Sequence, residues 1–230
     1  METPYDMARC LRLLTVALGR AEAARALYED AGSLGAVLET PGERLYLAYG
    51  VPAVNAEAWD ALRWLRMEAA ETAAVRAGPL TSPELVHGAV RGLFDGARHE
   101  RFFVVPVDVL LRPLCRPVLV GEGAPDCVPI PTRRLFEILL REKAAGAFLV
   151  HNHPSGDPTP STQDRRATRK LCELGESLGL RIFDHLVVAG MRAFSIAQGS
   201  PVSEPRPGGA EAGTLPYRAD ELAGESCAPF

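Results

Sequence analysis

The sequence predicts a mixed α/β protein, a small all-helical segment followed by a domain with a central β-sheet flanked by helices, and three observations carry that prediction. Over residues 6–77, which are rich in Ala, Leu, Arg and Glu, apolar side chains recur at helical spacing, as in Leu11, Leu14 and Leu18, and again in Leu62, Leu65 and Ala69. Beyond residue 100 the period shortens to that of strands, with β-branched and aromatic residues over 102–108 and 116–120. Residues 146–150, Gly-Ala-Phe-Leu-Val, are wholly apolar, as a strand covered on both faces requires.

The elements follow in order. Gly32, Gly35, Pro41-Gly42 and Gly50 punctuate the first segment into short helices, and the last runs over 53–77 until Gly78-Pro79 stops it. Thr81-Ser82-Pro83-Glu84 supplies the cap, the first-turn proline and the acidic residue of a new helix, so a domain boundary is expected near residue 80. A helix over 132–143 places Leu135, Ile138 and Leu139 on one face, and the 146–150 strand follows. A helix over 162–178 is expected to turn Ala167, Leu171, Leu174 and Leu178 inward and to end at Gly179. Short strands over 180–183, 186–189 and 193–196 complete the domain, and Trp59 and Trp64 read as core or interface anchors. The division expected is 1–78 helical, 80–199 α/β, and 200–230 a disordered tail of Pro, Gly, Ser and Glu with too little apolar content to fold alone.

The totals narrow the classes. With 230 residues at 47% hydrophobic, the chain can bury a core, and its formal net charge of −4 is dispersed, so no basic arm or acidic tail points to nucleic acid or membrane. Five cysteines with no C-x-x-C pair fit neither a disulfide framework nor a thiolate zinc site, and they read as reduced. With no basic-then-apolar leader at Met1 and no apolar run long enough to span a bilayer, the expectation is a cytoplasmic protein without a membrane partner.

The chemistry concentrates in His151-Asn-His153-Pro-Ser-Gly-Asp-Pro-Thr-Pro-Ser161-Thr-Gln-Asp164. Residues two apart on a strand share a side, so His151 and His153 at the end of the apolar strand can offer two imidazoles to one metal while Asn152 faces away. Three prolines and a glycine stiffen the loop that returns the chain, so that Asp164, on the first turn of the next helix, can supply an oxygen ligand. Two nitrogens and a carboxylate leave the fourth position of a zinc site open, the layout of a catalytic metal. The bland alternatives stand beside this: His-x-His can be a satisfied pair, and Ser161-x-x-Asp164 at a helix start is equally a capping box.

Taken together, H-x-H-P, seven residues between His153 and Ser161, then x-x-D, resembles the JAMM motif of MPN-domain metalloproteins. The longer string, with Phe183-Asp-His-Leu-Val-Val188, is similar to the bacterial RadC branch of that family over roughly residues 81–196. The resemblance implies an MPN fold with His151, His153 and Asp164 as zinc ligands and Ser161 as donor to a developing oxyanion. It also implies a glutamate from an early strand as general base, for which Glu100 in Arg98-His-Glu-Arg-Phe-Phe103 is the match and Glu122, read as exposed in a Gly-rich turn, the competitor. RadC-like proteins carry an N-terminal segment resembling a DNA-holding helix-hairpin-helix, but where that pattern has a second glycine this chain has Pro52, which has no backbone donor for a phosphate. Arg63 and Arg66 could touch phosphates or be solvated helix charges, and Asp184-His185 could be a packed pair or a partner behind the metal.

The first expectation is therefore a zinc-dependent hydrolase of the JAMM type, cleaving amide or isopeptide bonds in a peptide or protein substrate, with weak or no DNA binding. The alternative is a DNA-associated repair or recombination factor of the RadC type whose metal site is vestigial or directed at nucleic acid. A metal-stabilised interaction module is the third. Substrate and oligomeric state are not legible in the sequence.

Overall fold

The structure, a computed structural model, describes residues 4–123 and 130–203. It divides into two compact units, one of residues up to 69 with 95–98, the other of residues 70–94 with those from 99 onward.

In the first unit, α1 (Pro4–Leu18), α2 (Ala21–Ala31), α3 (Leu34–Leu38), α4 (Gly42–Tyr49) and the start of α5 (Ala53–Arg76) enclose a core built on Leu14, Leu18, Leu27, Val37, Leu45 and Trp59. The helices end where left-handed glycines allow, as at Gly32 (φ 73°) and Gly50 (φ 62°), a region L side chains avoid. The Trp59 indole N–H donates to the Thr40 carbonyl at 3.0 Å, which satisfies its one polar atom inside the core. Trp59 takes the core place expected of it, whereas Trp64 is 76% exposed and not part of the core, and Leu62 and Leu65 are exposed with it. Ala56 and Trp59 lie on the face of α5 that packs, and the Leu62/Leu65 stripe is on another. The boundary expected near residue 80 follows the end of α5 at Arg76, whereas the two units part within that helix, after Ala69. No glycine or proline interrupts residues 53–76, so the helix has no breaker at the division.

The second unit begins with the last turns of α5 and continues with α6 (Pro83–Val90), where the Ser82 hydroxyl accepts from the Leu85 amide and Pro83 takes the first turn. A 3-10 turn over Arg91–Phe94 leads to the sheet segment. The strands are β1 (Glu100–Val107), β2 (Val118–Gly123), β3 (Gly146–Asn152), β4 (Arg181–Ala189), β5 (Arg192–Ser195) and β6 (Ser200–Val202), in the order β2-β1-β3-β4-β5-β6. All neighbours are antiparallel except β3 and β4, which run parallel. Parallel neighbours need a crossover, and α8 (Thr162–Ser177) is that crossover.

Pleating sends alternate residues to opposite faces. Phe102 and Val104 of β1, with Ala147 and Leu149 of β3, join Leu135, Ile138 and Leu139 of α7 (Thr132–Arg141) and Leu171 and Cys172 of α8 in one core. From the other face Phe103 meets Phe94 edge-on at 5.5 Å, and α6 packs on β4. β3 is buried along its whole length, as its apolar run requires.

Four expectations about this unit are corrected. The two strands expected over 180–183 and 186–189 are one continuous strand, β4, so Asp184 and His185 lie inside the sheet; buried partners for their side chains let polar residues occupy a central strand. Leu174 and Leu178 are exposed, because Leu171, Cys172 and Gly175 form the inward stripe of α8. Glu122 is exposed as expected but lies on β2, not in a turn, beside Arg101, its partner at 2.9 Å, because the glycines around it are accommodated in an edge strand. Residues 200–202, assigned to the tail, form β6, and residues 204–230 lie outside the described residues.

Close packing at Gly146 starts β3 at the right height against β4. A Cβ there would lie 2.1 Å from the Arg181 carbonyl oxygen and 2.7 Å from the Phe183 ring. Backbone cannot yield as a side-chain tip can, so Gly146→Ala is expected to lower stability by about 3 kcal/mol, the upper end of ordinary overpacking. Urea denaturation of the variant measures this, and an unchanged midpoint would show that the strand pair can separate freely.

Candidate metal centre

β3 ends at the site because its apolar run is followed at once by polar residues that need partners. His151, only 3% exposed, occupies the same face as Ala147 and Leu149 and lies nearly parallel to the Phe102 ring, with centroids 6.0 Å apart. His153, one residue past the strand, is held from two sides. Its amide donates to the Val188 carbonyl at 2.9 Å, and its Nδ1 meets the Asp157 carbonyl at 2.8 Å. The loop that supplies Asp157 is tied in turn to β5, where the Arg192 guanidinium donates to the Gly156 carbonyl.

The chain then enters α8 through the expected capping box. The Ser161 hydroxyl accepts from the Asp164 amide at 3.1 Å, and the Asp164 carboxylate accepts from the Ser161 amide at 2.7 Å. The same carboxylate faces the histidines, with Oδ1 3.5 Å from His151 Nε2 and Oδ2 3.6 Å from His153 Nε2. The capping reading and the ligand reading of Asp164 are therefore compatible. Ser161 also donates its hydroxyl hydrogen to Asp164 Oδ2 at 2.6 Å.

His151 Nε2 and His153 Nε2 stand 3.0 Å apart, and the ligand-type atoms of His151, His153 and Asp164 all lie within 4.8 Å of one another. The Asp157 carbonyl can only accept, so Nδ1 of His153 carries a hydrogen and the neutral ring turns a bare Nε2 to its neighbours. Nitrogen lone pairs and a carboxylate converging this closely need positive charge among them, either a shared proton or a metal ion. Two imidazoles and one carboxylate are a donor set that suits zinc, and the residues present fit that ion.

Glu100 and Ser161 line the same cavity, of about 550 Å³, with His151, His153 and Asp164. Phe102, Ile130, Ala167 and Leu171 give it an apolar wall, and Lys170 of α8 adds a cation. Glu100 is 8% exposed at the first position of β1, and its charge helps raise His153. Glu122 is not among the lining residues. Asn152, turned away from the histidines as expected, has a task there: its side chain accepts from the Arg101 amide at 2.8 Å and donates to the His99 carbonyl at 3.1 Å. It thus grips both neighbours of Glu100 and ties the glutamate to the strand of the two histidines. Spacing could reveal which way Asn152 points, not what it would meet 51 residues earlier in the chain.

The electrostatics follow from burial and the carboxylate. Burial pushes His151 down to about 4, against the pull of Asp164, and burial likewise holds His185 well below the ordinary histidine range. The Asp164 carboxylate beside Nε2 favours the protonated ring and raises His153. Burial alone would raise Asp164, but the hydrogen bond from His153, the charge of His151 and the Ser161 hydrogen bonds hold it well below the carboxylate range. A histidine lowered by folding takes up protons more readily when unfolded, so its stabilisation is present above 6.5 and is lost as pH falls toward 4. Asp164, lowered likewise, loses its contribution at still lower pH, whereas raised His153 favours the fold on the acid side. With two histidines lowered and one raised, the urea midpoint of metal-free protein is expected to fall between pH 6.5 and 4. His151→Gln is expected to make that fall shallower, and a midpoint that rises over this range would contradict the assignment.

The N-terminal hairpin offers less to a ligand. The Val51 amide donates to the Leu45 carbonyl at 3.1 Å, Arg20 holds the Gly50 carbonyl at 2.9 Å, and Pro52 has no N–H. Arg63 is engaged by the Leu38 carbonyl and Asp60, and Arg66 by the Asp95 carbonyl and Glu39. Among the described residues no helix is long and apolar enough to cross a membrane.

Known proteins are similar to this chain over the same region. Residues 80–200 match the RadC-like JAB domain family, and this stretch contains every residue lining the cavity. A UPF0758 protein of Geobacter sulfurreducens is 38% identical over 112 residues, 49% of this chain and 48% of that one. In this relative and in one from Syntrophotalea carbinolica, 37% identical, the chain spans about half of the relative's length. A UPF0758 protein of Desulforamulus reducens is 32% identical over 194 residues, 83% of each chain. A family match over residues 80–200, more than half of the chain, joined by a relative aligned over most of both chains, shows that this chain belongs to the RadC-like JAB domain family of the MPN/JAMM superfamily.

Proposed function

We propose that the chain is a zinc-dependent hydrolase that cleaves amide or isopeptide bonds in a peptide or protein substrate. The observation that carries this reading is the convergence of His151, His153 and Asp164 beside Glu100 in one cavity. A cavity with an apolar wall and a few convergent polar groups is the form that small-molecule and peptide sites take. His151, His153 and Asp164 would hold the metal. Bound there, zinc supplies a Lewis acid that polarises a carbonyl and lowers the pKa of water to about 7.

Glu100 lines the cavity without belonging to the donor set, so its carboxylate can accept a proton from water and pass it to the leaving amine. Asn152 keeps that carboxylate at the height of the histidines through the backbone on either side of it. Ser161 supplies the hydroxyl for the developing oxyanion. Its hydrogen rests on Asp164 Oδ2, from which rotation about one side-chain bond turns it toward substrate. Phe102 and Leu171 keep water from the apolar side.

The alternative, a DNA-associated repair role of the RadC type, would need phosphate contacts that the hairpin does not offer, because Pro52 lacks a donor and Arg63 and Arg66 are engaged within their own unit.

Purified chain is expected to bind about one zinc per molecule, measured by metal analysis after dialysis, with His153→Ala losing it. In Glu100→Gln, zinc content and melting temperature are expected to stay with the parent while hydrolysis of a peptide and isopeptide panel falls about 10²–10⁴-fold, the ordinary cost of losing a general base. Full activity in that variant removes Glu100 as base. Stoichiometric zinc in His153→Ala removes that ligand.

A further inference from the structure

Behind the two histidines that face the cavity lies a third, with a threonine behind it. His185 of β4 is 1% exposed, its Nε2 lies 2.7 Å from His151 Nδ1, and its Nδ1 lies 2.6 Å from the Thr168 hydroxyl. Thr168, four residues after Asp164 on α8, sets the same hydroxyl 2.7 Å from the Asp164 carbonyl.

The hydrogens in this row have one consistent arrangement. A carbonyl only accepts, so the single hydroxyl hydrogen of Thr168 goes to Asp164. The hydroxyl oxygen must then accept from Nδ1–H of His185. A neutral, fully buried His185 that carries its hydrogen on Nδ1 has only a lone pair on Nε2, and that lone pair must accept from Nδ1–H of His151. His151 is left with a bare Nε2, the atom that faces His153 and Asp164.

We propose that Thr168 and His185 are positioning residues that fix the tautomer of His151, so that its Nε2 lone pair always points into the candidate metal site. The relay begins on the main chain of Asp164, the carboxylate ligand candidate. One turn of α8 therefore places the oxygen donor and, through three side chains, prepares a nitrogen donor on β3. The pleat of β3 and β4 brings this about: His185 pairs with Leu149, whose side chain shares the face of His151.

The consequence for zinc rests on the metal reading given above, whereas the tautomer does not, and two measurements separate them. In metal-free protein labelled with ¹⁵N at histidine, the parent is expected to show His151 with its hydrogen on Nδ1. Thr168→Val, close in shape but without the hydroxyl, removes the acceptor for His185 and is expected to give a mixture with hydrogen on His151 Nε2. Thr168→Ser restores the hydroxyl and is expected to restore the parent spectrum. His185→Gln, whose amide oxygen can accept from His151 while its nitrogen donates to Thr168, is expected to keep the parent tautomer also.

Zinc affinity by competition with a chromophoric chelator is expected to fall about 10–100-fold in Thr168→Val and to stay within a few-fold of the parent in Thr168→Ser and His185→Gln. A parent with hydrogen on His151 Nε2, or a folded Thr168→Val with the parent's tautomer and affinity, overturns the relay. If Thr168→Val does not fold, the parent spectrum and the two conservative variants still decide. If the parent shows the expected tautomer but no chain binds zinc, the metal reading fails and the relay stands.

Discussion

The parallel pairing of β3 with β4 is the constraint on which the candidate metal centre depends. It sets His185 behind His151, requires the crossover that becomes α8, and so returns Asp164 and Ser161 to the mouth of β3. On its other edge β3 runs antiparallel to β1, which brings Glu100 to the same end of the sheet. A buried strand with antiparallel and parallel neighbours thus gathers groups that lie up to 85 residues apart in sequence, from Glu100 to His185. The backbone bonds that make the sheet also fix the site's geometry, and a site on rigid elements holds its groups more closely than one built on loops.

Buried polar groups are the cost of that arrangement, and the structure meets it by sharing partners. Asp164 caps its own helix, receives the Ser161 hydroxyl and faces both histidines. Asn152 satisfies both ends of its amide on the backbone flanking Glu100. Asp184, 2% exposed, accepts from the Ser195 hydroxyl and from the His185 and Ala197 amides, so the strand can carry a carboxylate through the sheet. Half-satisfied polar networks destabilise a core, and here each of these side chains has a stated partner.

Much of this was legible in the sequence because it rests on short-range patterns. The H-x-H spacing at the end of an apolar run, the S-x-x-D helix start and the glycine stops are local signals, and α7, α8 and β3 lie close to where those signals put them. What spacing could not disclose was partnership across the fold. Asp184-His185 read as a break between strands because polar pairs usually mark turns, and only the sheet shows Thr168 and Ser195 waiting for them. The stripe of Leu62 and Leu65 is as periodic as the packed one of Ala56 and Trp59, so periodicity alone could not choose between two faces of α5. The apolar spacing of Leu174 and Leu178 misled in the same way, because the inward stripe of α8 runs through Gly175, whose Cβ would lie 2.6 Å from the Leu180 carbonyl oxygen.

The proposed hydrolase requires two imidazoles and a carboxylate of this site to take up one zinc ion. X-ray absorption at the zinc edge of the loaded protein tests it most directly. Two histidine nitrogens at about 2.0–2.1 Å are expected, with oxygen donors completing a four-coordinate shell. A shell containing sulfur at about 2.3 Å, or oxygen alone, would contradict it.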